Sequence, residues 1–424
     1  MNDTSGALSP PQAAVDVEAA ETLGKSGPAV FRLGYRPGLD GLRACAILMV
    51  VGGHAWLPDM RAVNSMVLFI GVDLFFVLSG FLITALLLEE WSDLGRISLK
   101  RFYARRALRL LPALLAVIVV CVLFQWLLAS KAAAIDTAID GLLALFYISN
   151  WAQALETGRP HLFLSHTWSL SIEEQFYLLW PLTLLLLLRR NRKSLPSLLN
   201  WVLLLIFLSI MVRVFLVTGG ANFERIRCGT DTRADSLLIG CALAVVLWSG
   251  WRPAAPGPGL VYETTKVAPL GSDVAPTGSR LCRRLAIGAG SRLPTLCLKL
   301  GAWLSVLALA ILATDNRSTR PFALYWFYPA ISIFAALIIL ELVSAPGSLL
   351  NRLLSLPWLV YIGRLSYGLY LWHIPVFRVI HARLWPRGWE VTVELVLSFA
   401  ITLLSFYLIE TPALRLKQRF RKQP

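Results

Sequence analysis

Apolar runs of about 17–25 residues recur along this chain, each long enough to cross roughly 30 Å of hydrocarbon as a helix. We read ten of them, at 39–57, 67–88, 110–129, 168–188, 198–217, 233–249, 297–314, 322–343, 358–380 and 390–411. Lipid offers no partner for backbone amides, so segments of this kind fold as helices that bond within themselves. The predicted class is therefore an all-α integral membrane protein. With 57 % hydrophobic and only 15 % charged residues, the chain lies well outside the soluble balance. A shorter apolar piece at 138–151, "AIDGLLALFYISNW", is either an eleventh span or a helix lying in the interface.

Charge decides between these. Short cytoplasmic loops accumulate Lys and Arg. With ten spans and a cytoplasmic N-terminus, the inner segments hold 25 basic residues and the outer loops 9. Counting 138–151 as a span changes the tally to 16 inside and 18 outside. Ten spans are predicted, with both termini cytoplasmic and 138–151 an outer interfacial or re-entrant helix. The net charge of +15 is then topological, because "KRFYARRALRL", "RRNRK" and "RLKQRFRK" all fall on one face. A nucleic-acid partner is not expected.

Residues 1–30 are acidic, Ala/Pro-rich and aperiodic, and are expected to form a disordered cytoplasmic tail. A transmembrane domain follows over 31–412, interrupted by a Pro/Gly-rich cytoplasmic loop at 250–296, and a basic tail covers 413–424. No removable signal peptide is expected. The six cysteines lack CxxC spacing, and HExxH, GxG-type and P-loop patterns are absent, so no metal site is predicted.

The polar residues within the spans carry the functional signal. "WSLSIEEQFYLLWP" (168–181) opens a span yet contains Glu173 and Glu174. A carboxylate well inside a lipid-facing helix costs roughly 2.5 kcal/mol or more. At 1.5 Å per residue, His54, Asp73, His166, Glu173, Glu174, Arg233, Asp235 and His373 all fall near one outer level. Such convergence is what a buried site needs. Individually each has a plainer reading: His54 as an interfacial histidine, Arg233 and Asp235 as a structural pair at a helix start. Ser169, Glu173 and Tyr177 form an i, i+4 stripe, so Glu173 is expected to face the bundle and Glu174 a neighbouring helix or headgroups. A second set lies at the inner level: Asp40 and Arg43, with the Arg-rich "RFYARRALRLLP" (101–112) beside them. Guanidinium forks suit phosphates, although positive-inside charge alone also accounts for them. Arg43 and His54 are eleven residues apart on one helix, roughly 16 Å, about the reach of a pantetheine arm.

Taken in order, "RPGLDGLRACAILMVVGGH", "FIGVDLFFVLSGFLIT", "RRALRLLP", "SHTWSLSIEEQFYLLWP", "RADSLLIG", "GRLSYGLYLWHIPVF" and "IETP" resemble the membrane-bound acyltransferase-3 family. That family includes bacterial O-antigen and other polysaccharide O-acetylases and some macrolide acyltransferases. The likeness runs from about Tyr35 to Pro412. It implies acyl transfer from cytoplasmic acyl-CoA, expected as acetyl-CoA, to an acceptor hydroxyl at the cell (plasma or inner) membrane. It also implies that the family's Arg–x10–His signature falls on Arg43 and His54, and its donor-associated basic motif on Arg105, Arg106 and Arg109. Some members carry a fused esterase-like domain; here direct acylation of the acceptor is expected.

The residue chemistry fits. Imidazole titrates near neutral pH and can take a hydroxyl proton. Glu173 is expected to orient His54, with Arg233 or a protonated His373 stabilising the oxyanion; an acyl-histidine route stays open. The expected acceptor is a glycan, with a macrolide or other secondary-metabolite sugar as the alternative. A transporter or flippase for a glycosylated or anionic solute is the rival from another class. Oligomeric state is not legible.

Overall fold

The computed structural model describes residues 31–56, 66–157, 163–190, 195–250, 292–314, 321–381 and 387–416. The predicted tail at 1–30, most of the 250–296 loop and the last eight residues lie outside that set. All described elements are helical: α1 (Pro37–Trp56), α2 (Met66–Leu94), α3 (Leu99–Leu128), α4 (Lys131–Leu145), α5 (Ser149–Ala154), α6 (Thr167–Arg190), α7 (Leu195–Thr218) and α8 (Phe223–Cys228) in the first half. They are followed by α9 (Thr230–Trp248), α10 (Arg292–Ala313), α11 (Pro321–Ser344), α12 (Leu349–Leu354), α13 (Pro357–His381) and α14 (Arg387–Ser405). A π-helical turn (Phe406–Glu410) then leads into α15 (Thr411–Leu416).

Each of the ten predicted segments coincides with a helix. Among the described residues, seven are long and apolar enough to cross a membrane: α2, α3, α6, α7, α10, α11 and the α14–α15 unit. The other three carry charged or imidazole side chains within their length: Asp40, Arg43 and His54 on α1, Asp231, Arg233 and Asp235 on α9, and Arg364, His373 and Arg378 on α13. The chain is thus a multi-pass membrane protein. Prolines open α1, α11 and α13, where a missing N–H costs nothing. The 131–145 helix is about 22 Å long, too short to cross alone. It lies against α3, with Gly141 beneath Ile118.

Two glycine-mediated crossings fix the centre of the bundle. A Cβ on Gly80 would meet Leu237 O at 1.8 Å, and one on Gly240 would meet Val77 O at 2.1 Å. Helices α2 and α9 therefore touch backbone to backbone, as small residues permit in membranes. Likewise, a Cβ on Gly363 would lie 1.9 Å from Asp40 O, which seats α13 on the first turn of α1. Both contacts place helices that carry site residues.

Candidate functional site

A cavity of about 400 Å³ opens between α1, α2, α3, α6 and α13, within the usual range for small-ligand sites. The first two turns of α1 contribute Asp40 and Arg43, α3 contributes Arg105, Arg106 and Arg109, and α6 contributes Ser169, Glu173, Glu174 and Tyr177. Ser79 on α2 and Tyr367 and Tyr370 on α13 complete the wall. The spacing on α3 explains the basic side: residues 105, 106 and 109 share one face at i, i+1 and i+4.

Most of these charges are held. Arg43 pairs with Asp40 at 3.2 Å, and Arg105 lies 3.8 Å from Glu90. Arg106 donates to Glu174 at 3.1 Å while its guanidinium sits 3.3 Å from the centre of the Tyr177 ring. Arg109 has no ion-pair or hydrogen-bond partner among the described residues, and its guanidinium is exposed to the cavity. Glu173 accepts hydrogen bonds from Tyr177 Oη at 2.7 Å and from Ser79 Oγ.

Beyond Tyr370 lies a group of imidazoles. The His54 and His373 ring centres are 5.1 Å apart, and those of His166 and His373 are 5.2 Å apart. His54 Nδ1 is 2.8 Å from Val50 O, and His373 Nδ1 is 2.7 Å from Tyr370 O. A carbonyl can only accept, so Nδ1 donates in both rings, and the neutral imidazole then presents Nε2 as a lone pair. His373 Nε2 is buried without a hydrogen-bond partner among the described residues. Tyr370 separates the two regions. Its hydroxyl is 2.9 Å from Ser169 Oγ and donates to His166 O, and its ring lies against His166 and His373. No group of three or more His, Cys, Asp or Glu is placed to hold a metal ion among the described residues.

The expected outer-level set divides in the structure. His54, His166 and His373 come together, but Asp73, Arg233 and Asp235 form a separate, fully buried cluster between α2, α7 and α9. Arg233 donates to Asp73 at 2.7 Å, and Arg213 donates to both oxygens of Asp235, at 3.0 and 2.6 Å. Ser236 also donates to Asp73, at 2.9 Å, and Arg233 lies 3.6 Å over the Tyr328 ring. None of these four charged side chains lines the cavity, so Arg233 faces no reacting group there. Glu173 is likewise not beside His54. The long Arg106 side chain reaches up α6, and Glu173 and Glu174 join the basic set, both lining the cavity.

The sequence reading passed over several contributors. Arg213 was visible as a charge inside an apolar span, "IMVRVF". Tyr370 sits three residues before His373, the spacing that stacks side chains on a helix. Arg227, buried over the Trp168 ring at 4.7 Å and paired with Glu224, lies in α8, a helix of six residues too short for apolar periodicity to single it out. Ser79 gives no sequence signal; only its contact with Glu173 identifies it.

The family model described as "Acyltransferase domain" matches residues 36–259 and 282–411. The peptidoglycan O-acetyltransferase OatA of Listeria monocytogenes is 33 % identical over 396 residues, which cover 89 % of this chain and 56 % of that protein. The O-acetyltransferase OatA of Staphylococcus aureus is 33 % identical over 393 residues, 89 % of this chain and 57 % of that protein. The chain thus spans less than three fifths of the length of these relatives. No solved structure matches.

Proposed function

Because the chain belongs to the membrane-bound acyltransferase-3 family, we propose that it moves an acetyl group from acetyl-CoA to a hydroxyl of a cell-surface glycan at the plasma membrane. The observation that carries this reading is the juxtaposition of an arginine-lined cavity with two imidazoles whose Nε2 lone pairs are fixed by backbone carbonyls.

The donor enters from the basic end, read as cytoplasmic, in a topology of ten spans with both termini inside. Arg109, a cavity guanidinium with no hydrogen bond or ion pair among the described residues, meets the nucleotide phosphates, and Arg43 and Arg105 flank them. The pantetheine arm follows the cavity to Val50, one helical turn short of His54. The acceptor oxygen attacks the thioester carbonyl, the C–S bond breaks, and His54 Nε2 takes the hydroxyl proton. The sulfur leaves as thiolate and is protonated to CoASH. Glu173 acts on the donor side, where it fixes Ser79 and Tyr177 in the cavity wall. The name of the Listeria relative, a peptidoglycan O-acetyltransferase, supports a cell-wall glycan as the acceptor class.

The test is transfer from radiolabelled acetyl-CoA to a panel of glycan acceptors by protein in detergent. Acceptor-dependent labelling is expected. His54→Ala is expected to lower it by 10²–10⁴-fold, the usual contribution of a general base, with acetyl-CoA binding retained. Unchanged transfer in that variant removes His54 from the chemistry, and failure of the wild type to bind acetyl-CoA overturns the reading.

A further inference from the structure

The last membrane helix has its polarity reversed. Over α14 and the π turn the buried residues are Glu390, Val391, Glu394, Ser398, Thr402, Ser405 and Glu410, all polar but one. The opposite face carries exposed Val396, Leu404, Tyr407 and Leu408. A polar face turned into a membrane bundle meets other polar groups or water.

The hydroxyls on this face do not behave like others in the bundle. Thr183, Thr218, Ser305 and Thr392 each donate to the carbonyl four residues earlier, at 2.7–3.0 Å. Ser398, Thr402 and Ser405 do not; their buried oxygens have no hydrogen-bond partner among the described residues, and nor does Glu410 Oε1. Groups in that condition are normally satisfied by ordered water. The seam is narrow. A Cβ on Gly368 of α13 would lie 2.9 Å from both Glu410 Oε1 and Thr402 Cγ2, which leaves no room for a sugar or a lipid chain. With Glu394 between Glu390 and Ser398, side chains three to five residues apart follow one another along this face, at spacings of roughly 5–7 Å that bridging water can span.

The seam also has a destination. Glu410 lies close to Arg109 and Tyr367, which line the cavity. Twenty residues separate it from Glu390, roughly 30 Å, the thickness of the hydrocarbon.

We propose that the inward face of α14 is a water-filled proton path between the two membrane faces, running from Glu390 through Glu394, Ser398, Thr402 and Ser405 to Glu410. The inference rests on the acyl-transfer reading for its purpose. In that reaction RCO–SCoA and HOR′ become RCO–OR′ and HSCoA. The proton leaves the acceptor oxygen for His54 Nε2, and one proton ends on the sulfur. When the thiolate withdraws along the cavity before His54 returns its proton, the charge balances through a proton delivered along the seam at Glu410, while His54 releases its own to the outer water.

Hydration is tested independently of activity. In a background without native cysteines, Ser398→Cys, Thr402→Cys and Ser405→Cys are exposed to silver ion, small enough for a single-file passage. They are then denatured and labelled with N-ethylmaleimide. Protection by silver at least tenfold faster than for Ser305→Cys on α10 is expected, and equal rates overturn the path. The combined variant Ser398→Ala, Thr402→Val, Ser405→Ala is expected to lower transfer at least tenfold and raise its solvent deuterium isotope effect, with acetyl-CoA binding unchanged. Thr402→Ser alone keeps transfer near wild type. Unaltered transfer and isotope effect in the combined variant also overturn the proposal. The silver result stands whether or not that variant folds. If wild type transfers nothing while silver still enters, the acyl-transfer reading fails and the hydrated seam survives it.

Discussion

Arg213 donates two hydrogen bonds to Asp235, and neither side chain is exposed. Removing one partner of such a pair strands a charge and costs roughly 3–5 kcal/mol, whereas replacing both with apolar groups is often neutral. Asp235→Leu is therefore expected to lower the melting temperature in detergent sharply, and the Arg213→Met, Asp235→Leu double variant to recover most of the loss. His166, in the turn before α6, gives a pH signature. Burial pushes its imidazole down to about 3, from an ordinary value near 6.5. As pH falls the unfolded chain takes up the proton first, so this contribution is complete above ~6.5 and is lost progressively towards 3. Between pH ~6.5 and ~5 the loss amounts to about 2 kcal/mol, and the melting curve of His166→Gln is expected to lack that component. At this scale the sequence exposed which residues are unusual but not which of them meet. Arg233 and His373 look alike as polar residues in apolar spans. Their separation depends on Arg213, which supplies the second guanidinium that lets Asp73 and Asp235 close into their own cluster.

The helices were legible because membrane crossing imposes a length, and all ten apolar segments fall on helices. Their ends were less so. Helix α3 begins at Leu99 rather than near 110, since hydrogen bonding continues through the amphipathic Arg-rich stretch that a hydropathy window discards. Contacts between helices depend on glycines whose meaning appears only in three dimensions. Gly240→Ala places a methyl 2.1 Å from Val77 O, where backbone must yield. It is expected to cost about 1–3 kcal/mol or more, the range for overpacking, and to displace Ser79 from Glu173. A drop in melting temperature, together with a rise in KM for acetyl-CoA, checks this. Ala at Gly52, which has nothing within 4 Å of an added Cβ, serves as the control.

For the whole molecule, the charge tally predicts an even number of crossings. Thr4→Cys and Gln423→Cys are therefore expected to label with an impermeant maleimide from the same side in oriented vesicles; opposite labelling would make the number of crossings odd. The tally addresses topology because charge bias acts on the chain as it is threaded, before any tertiary contact exists. It carries no information about what the bundle later encloses. The inverted polarity of α14 bears on the step that follows threading. The segment is apolar enough to enter lipid by itself, yet its polar face then meets hydrocarbon until another helix covers it. Helix α13, with Gly368, packs against that face. Docking of the final span, rather than its entry, is thus coupled to completion of the bundle before it. A defect in α13 is expected to leave the last segment inserted but undocked and open to quality-control proteases, long before any loss of chemistry is felt.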